Sequence, residues 1–236
     1  MPIDESTREA YEHMAESNPD WSDEPLRRLL EWPATRSLLP DLDGCRLLEA
    51  GCGAGDYTEY FVEQGADVVA VDATAAAVER ARDRFEDTES VTVHRADLTD
   101  PLTVLEDESV DLVVSQLVLE HVRDWRPVFD EFARVLQPDG RFVFSTGHPL
   151  SGWVTPDDAE DYFETEQLTQ DWGEMQPRNY RRPMSAHLNP LADAGFAIER
   201  FLEPTPDPAY ESVDSEKYER LRTVPRWECV RARLIE

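Results

Sequence analysis

Three glycines at alternate positions follow a short apolar run. Gly51, Gly53 and Gly55 come directly after Arg46-Leu-Leu-Glu-Ala50, and a glycine-rich turn after a strand lets a ligand approach backbone N–H groups closely. Glu49 stands two residues before the first of these glycines. A carboxylate there would repel a pyrophosphate, but it suits a ligand that carries a positive charge. The turn therefore predicts a site for a cationic or zwitterionic ligand.

A second acidic residue, Asp72, ends the next apolar run, Val68-Val-Ala-Val71. An acid at this place can accept hydrogen bonds from both hydroxyls of a ribose, although the same side chain can also cap the helix that follows. A nicotinamide dinucleotide site also needs a glycine-rich turn and an acid that binds a ribose. Its G-x-G-x-x-G fingerprint, however, requires a third glycine where this chain has Asp56. An NAD-dependent oxidoreductase is therefore the less favoured alternative.

Elements that alternate between short apolar runs and helical patterns position these residues. The alternation predicts a doubly wound, Rossmann-like α/β fold, with a mostly parallel sheet and helices on both of its faces. Two later strands add an antiparallel C-terminal hairpin and bring the sheet to seven strands. The predicted strands are 46–50, 68–71, 91–94, 110–114, 141–146, 196–202 and 227–235, and the predicted helices include 73–85, 125–136 and 188–194.

Two regions fall outside the alternation. Residues 1–40 are polar with two helical stretches, which predicts an N-terminal helical cap on a domain that spans 41–236. Residues 147–183 are rich in acids, prolines and aromatics. A poorly ordered insertion or an oligomer interface are alternatives, but this much apolar surface favours a lid that starts after strand five. The residues concerned are Trp153, Tyr162, Phe163, Trp172 and Tyr180, with Tyr11 and Trp21 closing the same opening from the other side.

The glycine turn and four later segments occur in the order found in one enzyme family. Residues 47–56 resemble motif I of the class I S-adenosylmethionine-dependent methyltransferases, and Asp72 and residues 95–98, 110–122 and 133–140 resemble later motifs of that family. The resemblance covers about residues 44 to 146, and residues 148–208 look like a broad group of small-molecule methyltransferases. It implies S-adenosyl-L-methionine as cofactor, S-adenosyl-L-homocysteine as product, and a small-molecule acceptor with an O-, N- or C-nucleophile. A SAM-binding protein without catalysis is the alternative.

The resemblance also implies roles for single residues. Asp72 matches the acid that binds the ribose, Asp97 matches the acid that contacts the adenine amino group, and Gln116 lies where the fourth strand lines the methionine end. Each has a structural alternative as a turn, cap or strand-end residue. The implied cofactor-binding residues are Glu49, Gly51, Gly53, Gly55, Asp72, Ala73, Asp97, Leu98, Ser115 and Gln116.

The acceptor side has fewer signals. His148 follows the fifth strand at the edge where ligands of open α/β sheets bind, so it is a candidate catalytic base, an acceptor contact or a structural residue. His121 is interpreted as a hydrogen-bonded structural histidine. Arg178, Arg181 and Arg182 could bind an acceptor carboxylate or phosphate, although pairing with nearby acids is the safer interpretation.

Charge is the outlying property of the composition. The chain has 51 acidic and 23 basic residues, a net charge of -28, and Lys217 is its only lysine. Such a surface resembles halophilic acidic proteins from organisms with molar salt in the cytoplasm, and an ordinary acidic cytosolic protein is the alternative. The charge disfavours DNA or RNA as a partner. Either a monomer or a homodimer fits the sequence.

Three further patterns exclude functions or compartments. No apolar run approaches the ~18 residues of a membrane span, and the acidic N-terminus lacks the order of a signal peptide. Cys45, Cys52 and Cys229 form neither a CxxC pair nor a zinc spacing. We therefore expect a cytoplasmic protein without a metal, whose cysteines are reduced and serve as small core residues.

Overall fold

A seven-stranded sheet organises the computed structural model, which describes residues 3–17, 24–151, 161–170 and 175–235. The strand order is β3-β2-β1-β4-β5-β9-β8, with β1 to β5 parallel and β9 antiparallel to both of its neighbours. The predicted fold class is thereby confirmed. The strands are β1 (Arg46–Ala50), β2 (Asp67–Asp72), β3 (Val91–Arg95), β4 (Val110–Gln116), β5 (Leu136–Gly147), β8 (Phe196–Leu202) and β9 (Trp227–Leu234).

Helices cover both faces of the sheet. Successive side chains of a strand point to opposite faces, so an apolar strand needs a packing partner on each face. On β1, Leu47 joins an apolar cluster with Phe61 of α3, whereas Leu48 joins the cluster that contains Phe129 of α5. Both leucines are fully buried, as expected for a central parallel strand. The helices are α1 (Glu5–Ser17), α2 (Trp32–Leu38, after a π-helical turn at Arg27–Glu31), α3 (Asp56–Glu63), α4 (Ala75–Arg84), α5 (Arg126–Val135), α6 (Met184–Asp193) and α7 (Ser215–Leu221).

The fifth strand begins earlier than the sequence predicts. β5 already pairs with β4 at Leu136, and the register then shifts so that Arg141 lies opposite Leu112. Residues 137–140 therefore form a bulge inside the strand, where Asp139 adopts a positive φ of 64°. A bulge of this kind bends the strand and increases its local twist.

Two connections outside the alternating strands and helices contain regular structure of their own. Within residues 147–183, β6 (Glu166–Thr169) and β7 (Arg178–Arg181) form a separate antiparallel pair. The connection between β8 and β9 contains a 3-10 turn and α7. The predicted lid residues Trp153 and Trp172, and Trp21 of the predicted cap, lie outside the described residues.

The first helix is attached to the sheet domain by polar contacts. The Glu12 carboxylate accepts the backbone N–H groups of Ala75 and Ala76 at the start of α4, at 2.8 and 2.7 Å. Arg80 on α4 donates in return to the carbonyl of Ala15. Glu12 thus satisfies two of the four N–H groups that a helix start leaves free. The division into a cap of residues 1–40 and a domain of residues 41–236 stays a prediction.

The cysteines lie where small core residues are expected. Cys45, Cys52 and Cys229 are all buried free thiols, and burial raises the pKa of Cys45 to about 11. Within the described ranges, no helix combines the length and the apolar character that crossing a membrane requires.

The acidic surface predicts that stability increases with salt. At a net charge of -28, repulsion among carboxylates opposes folding in dilute buffer. The Debye length falls from about 10 Å at about 0.1 M salt to about 3 Å at about 1 M. We therefore expect the melting temperature to rise steeply between about 0.1 and about 2 M KCl. A flat or falling series in scanning calorimetry would contradict the halophilic interpretation.

Candidate functional site

An open cavity lies at the carboxyl ends of β1, β2 and β4. It encloses about 1110 Å³ of space including its mouth, at the edge where open α/β sheets bind ligands. Most of the predicted cofactor residues line it, whereas Glu49, Gly55, Ser115 and His148 do not. The predicted residues in its wall are Gly51, Gly53, Asp72, Ala73, Asp97, Leu98 and Gln116.

The glycine turn forms the floor of this cavity beside β2. The N–H groups of Gly51 and Cys52 donate to the carbonyl of Val71, at 2.8 and 3.0 Å. Gly51 has a φ of 89°, and a Cβ on it would lie 2.2 Å from a methyl carbon of Val118. A Cβ on Gly53 would meet nothing within 4 Å. The turn thus brings backbone into the close contacts that a side chain would prevent.

Asp72 connects the glycine turn with the start of α4. Its Oδ2 accepts the Gly53 N–H at 2.9 Å, and its Oδ1 accepts both the N–H and the hydroxyl of Thr74. Since a carboxylate oxygen has two lone pairs, one acceptor position remains on Oδ2. Thr74, not Asp72, occupies the N-cap position of α4. The carboxylate therefore organises the turn as well as lining the cavity.

Asp97 repeats this local pattern just after the next strand, β3. Its Oδ1 accepts the N–H and hydroxyl of Thr99, and its Oδ2 accepts the backbone N–H of Ile3 at 3.0 Å. Ile3 itself lines the cavity. The N-terminal segment thus reaches the acid that the sequence assigns to a ligand.

Glu49 lies behind the cavity instead of in its wall. Its side chain is buried and accepts the Thr58 hydroxyl. Burial raises the pKa of Glu49 from an ordinary value of 4.5 to about 8, and the nearby carboxylates of Asp56 and Asp72 act in the same direction. Glu49 is therefore mostly neutral at pH 7 in the structure described here.

This neutral carboxyl predicts a pH-dependent cost to folding. Between pH 4.5 and about 8 the folded chain keeps the Glu49 proton while the unfolded chain loses it, so the free energy of unfolding declines as the pH rises through this window. Glu49→Gln stays neutral at every pH. We therefore expect the difference in free energy of unfolding between this variant and the wild type to shift by about 3 kcal/mol in favour of the variant from about pH 5 to about pH 8. Denaturant unfolding measures it, with the exposed Glu63→Gln as control. Parallel curves for Glu49→Gln and the wild type would show that Glu49 is not held neutral.

The two residues that end β4 differ in their surroundings. Ser115 is fully buried and donates its hydroxyl to the carbonyl of Ala50, so it joins two strands. Gln116 lines the cavity, and its Nε2 is buried without a hydrogen-bond partner among the described residues. Buried donors are normally paired, so Gln116 marks a place where a ligand acceptor fits.

His148 holds a loop at the end of β5. It is 3% exposed, its Nδ1 accepts the N–H of Leu150, and its Nε2 lies 3.0 Å from a carboxylate oxygen of Glu203. Burial lowers the pKa of His148, against the opposing effect of Glu228 and Glu203. These contacts fit the structural alternative for His148.

The three arginines of the predicted acceptor site have partners inside the protein. Arg181 pairs with Glu166, and Arg178 donates to Gln167. Arg182 is buried, donates to the carbonyl of Val122, and stacks at 4.4 Å on the ring of Trp125. Burial lowers the pKa of Arg182 to about 10. Arg181 thus pairs with an acid, as the safer interpretation has it, whereas Arg182 is held by backbone carbonyls and an aromatic ring.

His121 faces the cavity together with a residue from α1. The Tyr11 hydroxyl lies 2.9 Å from Nε2 of His121, and Nδ1 of the same ring lies 2.9 Å from the carbonyl oxygen of Arg178. Both side chains line the cavity. The sequence interpretation of His121 as hydrogen-bonded is confirmed, but its place in the cavity was not predicted.

The N-terminal region supplies wall residues that sequence reasoning missed. Met14 and Ala15 from α1 and Arg27 from the turn before α2 line the cavity. The sequence pattern predicts helices in this region but does not indicate which part of the sheet domain they contact. A second feature that sequence reasoning missed is the turn that follows each of the two cavity acids. The repeated Asp-x-Thr at Asp72 and Asp97 was a usable signal for it, since an Asp two residues before a Thr favours this local turn.

Comparisons with known proteins agree with this geometry. The family model described as "Methyltransferase domain" matches residues 48–144. A crystal structure of an S-adenosylmethionine-dependent methyltransferase from Mesorhizobium loti is 32% identical, with a TM-score of 0.73, and the alignment covers 86% of this chain and 97% of that one.

Two further relatives are more distant or are matched over a shorter length. A ubiquinone biosynthesis O-methyltransferase from Alkalilimnicola ehrlichii is 32% identical over 108 residues, which is 46% of this chain and 44% of that protein. A geranyl diphosphate C-methyltransferase from Streptomyces coelicolor is 21% identical, with a TM-score of 0.67 and coverage of 99% and 89%, so it shows the fold alone.

The relative from Mesorhizobium loti decides the family because the similarity extends over nearly the whole of that chain. The matched family model spans the glycine turn and the ends of all five parallel strands except the last residues of β5. This chain therefore belongs to the S-adenosylmethionine-dependent methyltransferases, enzymes whose cofactor is S-adenosylmethionine.

Proposed function

We propose that this enzyme transfers the methyl group of S-adenosylmethionine to a hydroxyl group of a small molecule. The observation that carries the proposal is the cavity in which Asp72 and Asp97 share a wall with the hydrogen-bonded pair Tyr11 and His121. The relatives named as ubiquinone biosynthesis O-methyltransferases support an oxygen nucleophile. The sequence alone left oxygen, nitrogen and carbon open.

The cavity residues fit a nucleoside joined to a cation. Asp56, Asp72 and Asp97 bring three carboxylates to the wall, and the unpaired Nε2 of Gln116 offers a donor. In our proposal Asp72 holds the ribose through the free position on Oδ2, and Asp97 holds the adenine amino group. The turn at Gly51 and Gly53, with Gln116, then borders the methionine end.

The chemistry divides between cofactor and protein. S-adenosylmethionine supplies a methyl group that its sulfonium makes electrophilic. The chain has to hold the acceptor oxygen about 3 to 3.5 Å from that carbon and in line with the bond that breaks. It also has to exclude water, which would compete as a nucleophile. Tyr11 and His121 lie in the cavity wall where an acceptor can meet them.

We propose that the N-terminal helix and the segment after β5 cover the acceptor together. Thr7 of α1 exchanges two hydrogen bonds with the backbone of Arg178 on β7, and Ile3 donates to Asp97. The cap therefore touches both the β6–β7 pair and the predicted adenine acid. Since Ile3 occupies one of the two acceptor positions on Oδ2 of Asp97, the cap borders the place where the adenine amino group would bind.

Hydrogen exchange should detect this cover. We expect S-adenosylhomocysteine to raise protection in residues 3–17, 161–170 and 175–183. Glu12→Gln should lower protection of α1 in the free enzyme, because it weakens the charge-assisted bonds to Ala75 and Ala76. Glu16→Gln, an exposed change on the same helix, is the control. Complete protection without ligand, in a dimer, would identify an interface instead of a cover.

An acceptor screen tests the proposed function. Methyl-labelled S-adenosylmethionine is incubated in molar KCl with a panel of small phenols, catechols and alcohols, each matched by its amine analogue. We expect label on the hydroxyl compounds. Label on amines or carbon atoms only, or consumption of the cofactor without any labelled acceptor, would contradict the proposal.

A further inference from the structure

The tautomer of His121 follows from its two partners. The carbonyl oxygen of Arg178 can only accept, so Nδ1 of His121 carries a proton at 2.9 Å from it. In the neutral ring Nε2 is then an acceptor, and it faces the Tyr11 hydroxyl at 2.9 Å. Tyr11 therefore donates to His121, and the histidine is positioned to take a proton.

The three groups are held in place from several elements. The Arg178 carbonyl also accepts the hydroxyl of Thr7, which stands one helical turn before Tyr11 on α1. Arg182 donates to carbonyls of Leu119, Val122 and Arg123 around the turn that carries His121. The Tyr11 and His121 rings meet edge to face with centroids 5.3 Å apart. An ordered pair of this kind suits proton transfer, which depends on hydrogen-bond geometry.

We propose that Tyr11 and His121 form a proton relay that deprotonates a hydroxyl acceptor during methyl transfer. The inference rests on the proposed function. The acceptor oxygen forms a bond to the methyl carbon as the carbon–sulfur bond breaks, and the bonding electrons stay on sulfur. The acceptor proton passes to the Tyr11 oxygen while the Tyr11 proton passes to Nε2 of His121. The products are the methyl ether, neutral S-adenosylhomocysteine and a protonated His121.

The charges around the pair suit this direction of transfer. The groups that face Tyr11 are Arg27, Glu120 and Asp72, and burial raises the pKa of Tyr11. The phenol thus stays protonated and passes its proton on instead of ionising. Glu120, the chain neighbour of His121, accepts the Thr146 hydroxyl, and its charge acts on Tyr11; a negative charge at the pair favours the cation that forms on His121.

Two catechols of different acidity test the relay. Tyr11→Phe and His121→Gln should lower kcat for catechol by about 100-fold, and much less for 4-nitrocatechol, which is largely ionised at mildly alkaline pH. The acid limb of the catechol pH profile should disappear in both variants. S-adenosylhomocysteine should still bind within a few-fold of the wild type. Tyr60→Phe, which removes a surface hydroxyl bonded to Arg36, is the control. Equal losses with both catechols, or unchanged kcat, would overturn the relay.

A second measurement keeps the relay separate from the proposed function. If no hydroxyl compound is methylated, the proposed function fails. Nitrogen-15 NMR of His121 in the S-adenosylhomocysteine complex still shows which ring nitrogen carries the proton, and so tests the hydrogen-bond arrangement that the relay needs. We expect a protonated Nδ1, an unprotonated Nε2, and a shift of the Nε2 signal in Tyr11→Phe. A proton on Nε2 in place of Nδ1 would overturn the relay directly.

Discussion

Gly51→Ala should weaken the binding of S-adenosylmethionine by at least about 100-fold. The φ of 89° is strained for alanine, and the new Cβ would lie 2.2 Å from Val118. Backbone strain and overpacking each cost about 1 to 3 kcal/mol, and about 3 kcal/mol in total is a factor of about 100 in affinity. The turn and the Val118 loop cannot both keep their places, so the cavity floor shifts.

Gly44→Ala is the matched control for this experiment. Gly44 also has a positive φ, of 71°, but a Cβ there meets nothing within 4 Å, and it precedes β1 outside the cavity wall. It therefore measures backbone strain without the collision. Calorimetric titration of S-adenosylmethionine into both variants, with melting temperatures alongside, separates affinity from stability. Equal affinity in Gly51→Ala and the wild type would contradict the placement of this turn at the cofactor.

Asp72→Ala should also lower the affinity for S-adenosylmethionine by about 100-fold or more. The change removes the proposed ribose contact and leaves the Gly53 N–H, the Thr74 N–H and the Thr74 hydroxyl without their acceptor. Each unsatisfied partner costs about 1 to 3 kcal/mol where it is buried. Both affinity and melting temperature should therefore fall.

Asp83→Ala controls for the loss of one carboxylate, since Asp83 lies exposed on α4. We expect it to bind S-adenosylmethionine like the wild type in the same titration. If Asp72→Ala lowered only the melting temperature and left the affinity unchanged, Asp72 would serve the turn and α4 alone.

Much of the fold could be predicted because the sheet domain is specified by local patterns. Runs such as Val68-Val-Ala-Val71 are apolar throughout, as a strand buried on both faces has to be, and the helices between the strands have one apolar face. The positions of Gly51, Asp72 and Asp97 at strand ends then follow from topology. The family model and the structure agree with this part of the prediction.

The contacts of the cap could not be predicted because they are polar and distant in sequence. Glu12 bonds to α4 across 63 residues and Thr7 to β7 across 171, and neither contact leaves a periodic pattern. α7 was missed for a related reason: it has seven residues, too few for a clear helical period. Its Asp214 cap, which accepts the N–H of Lys217, was a usable signal.

The two histidines show that chain order does not determine the direction of a side chain. His148 follows β5 at the ligand edge, as predicted, but its ring turns toward Leu150 and Glu203. His121 sits in a short 3-10 turn after β4, and that turn places its ring in the cavity. Strand topology places a residue at an edge of the sheet, whereas the direction of its side chain depends on the loop that carries it.

A crystal structure with S-adenosylhomocysteine tests the central claim most directly. We predict the ribose at Asp72, the adenine at Asp97, and the sulfur on the side of the cavity where Tyr11 and His121 remain hydrogen-bonded. A cofactor bound away from Asp72, or with its sulfur pointing away from the Tyr11–His121 pair, would contradict the account.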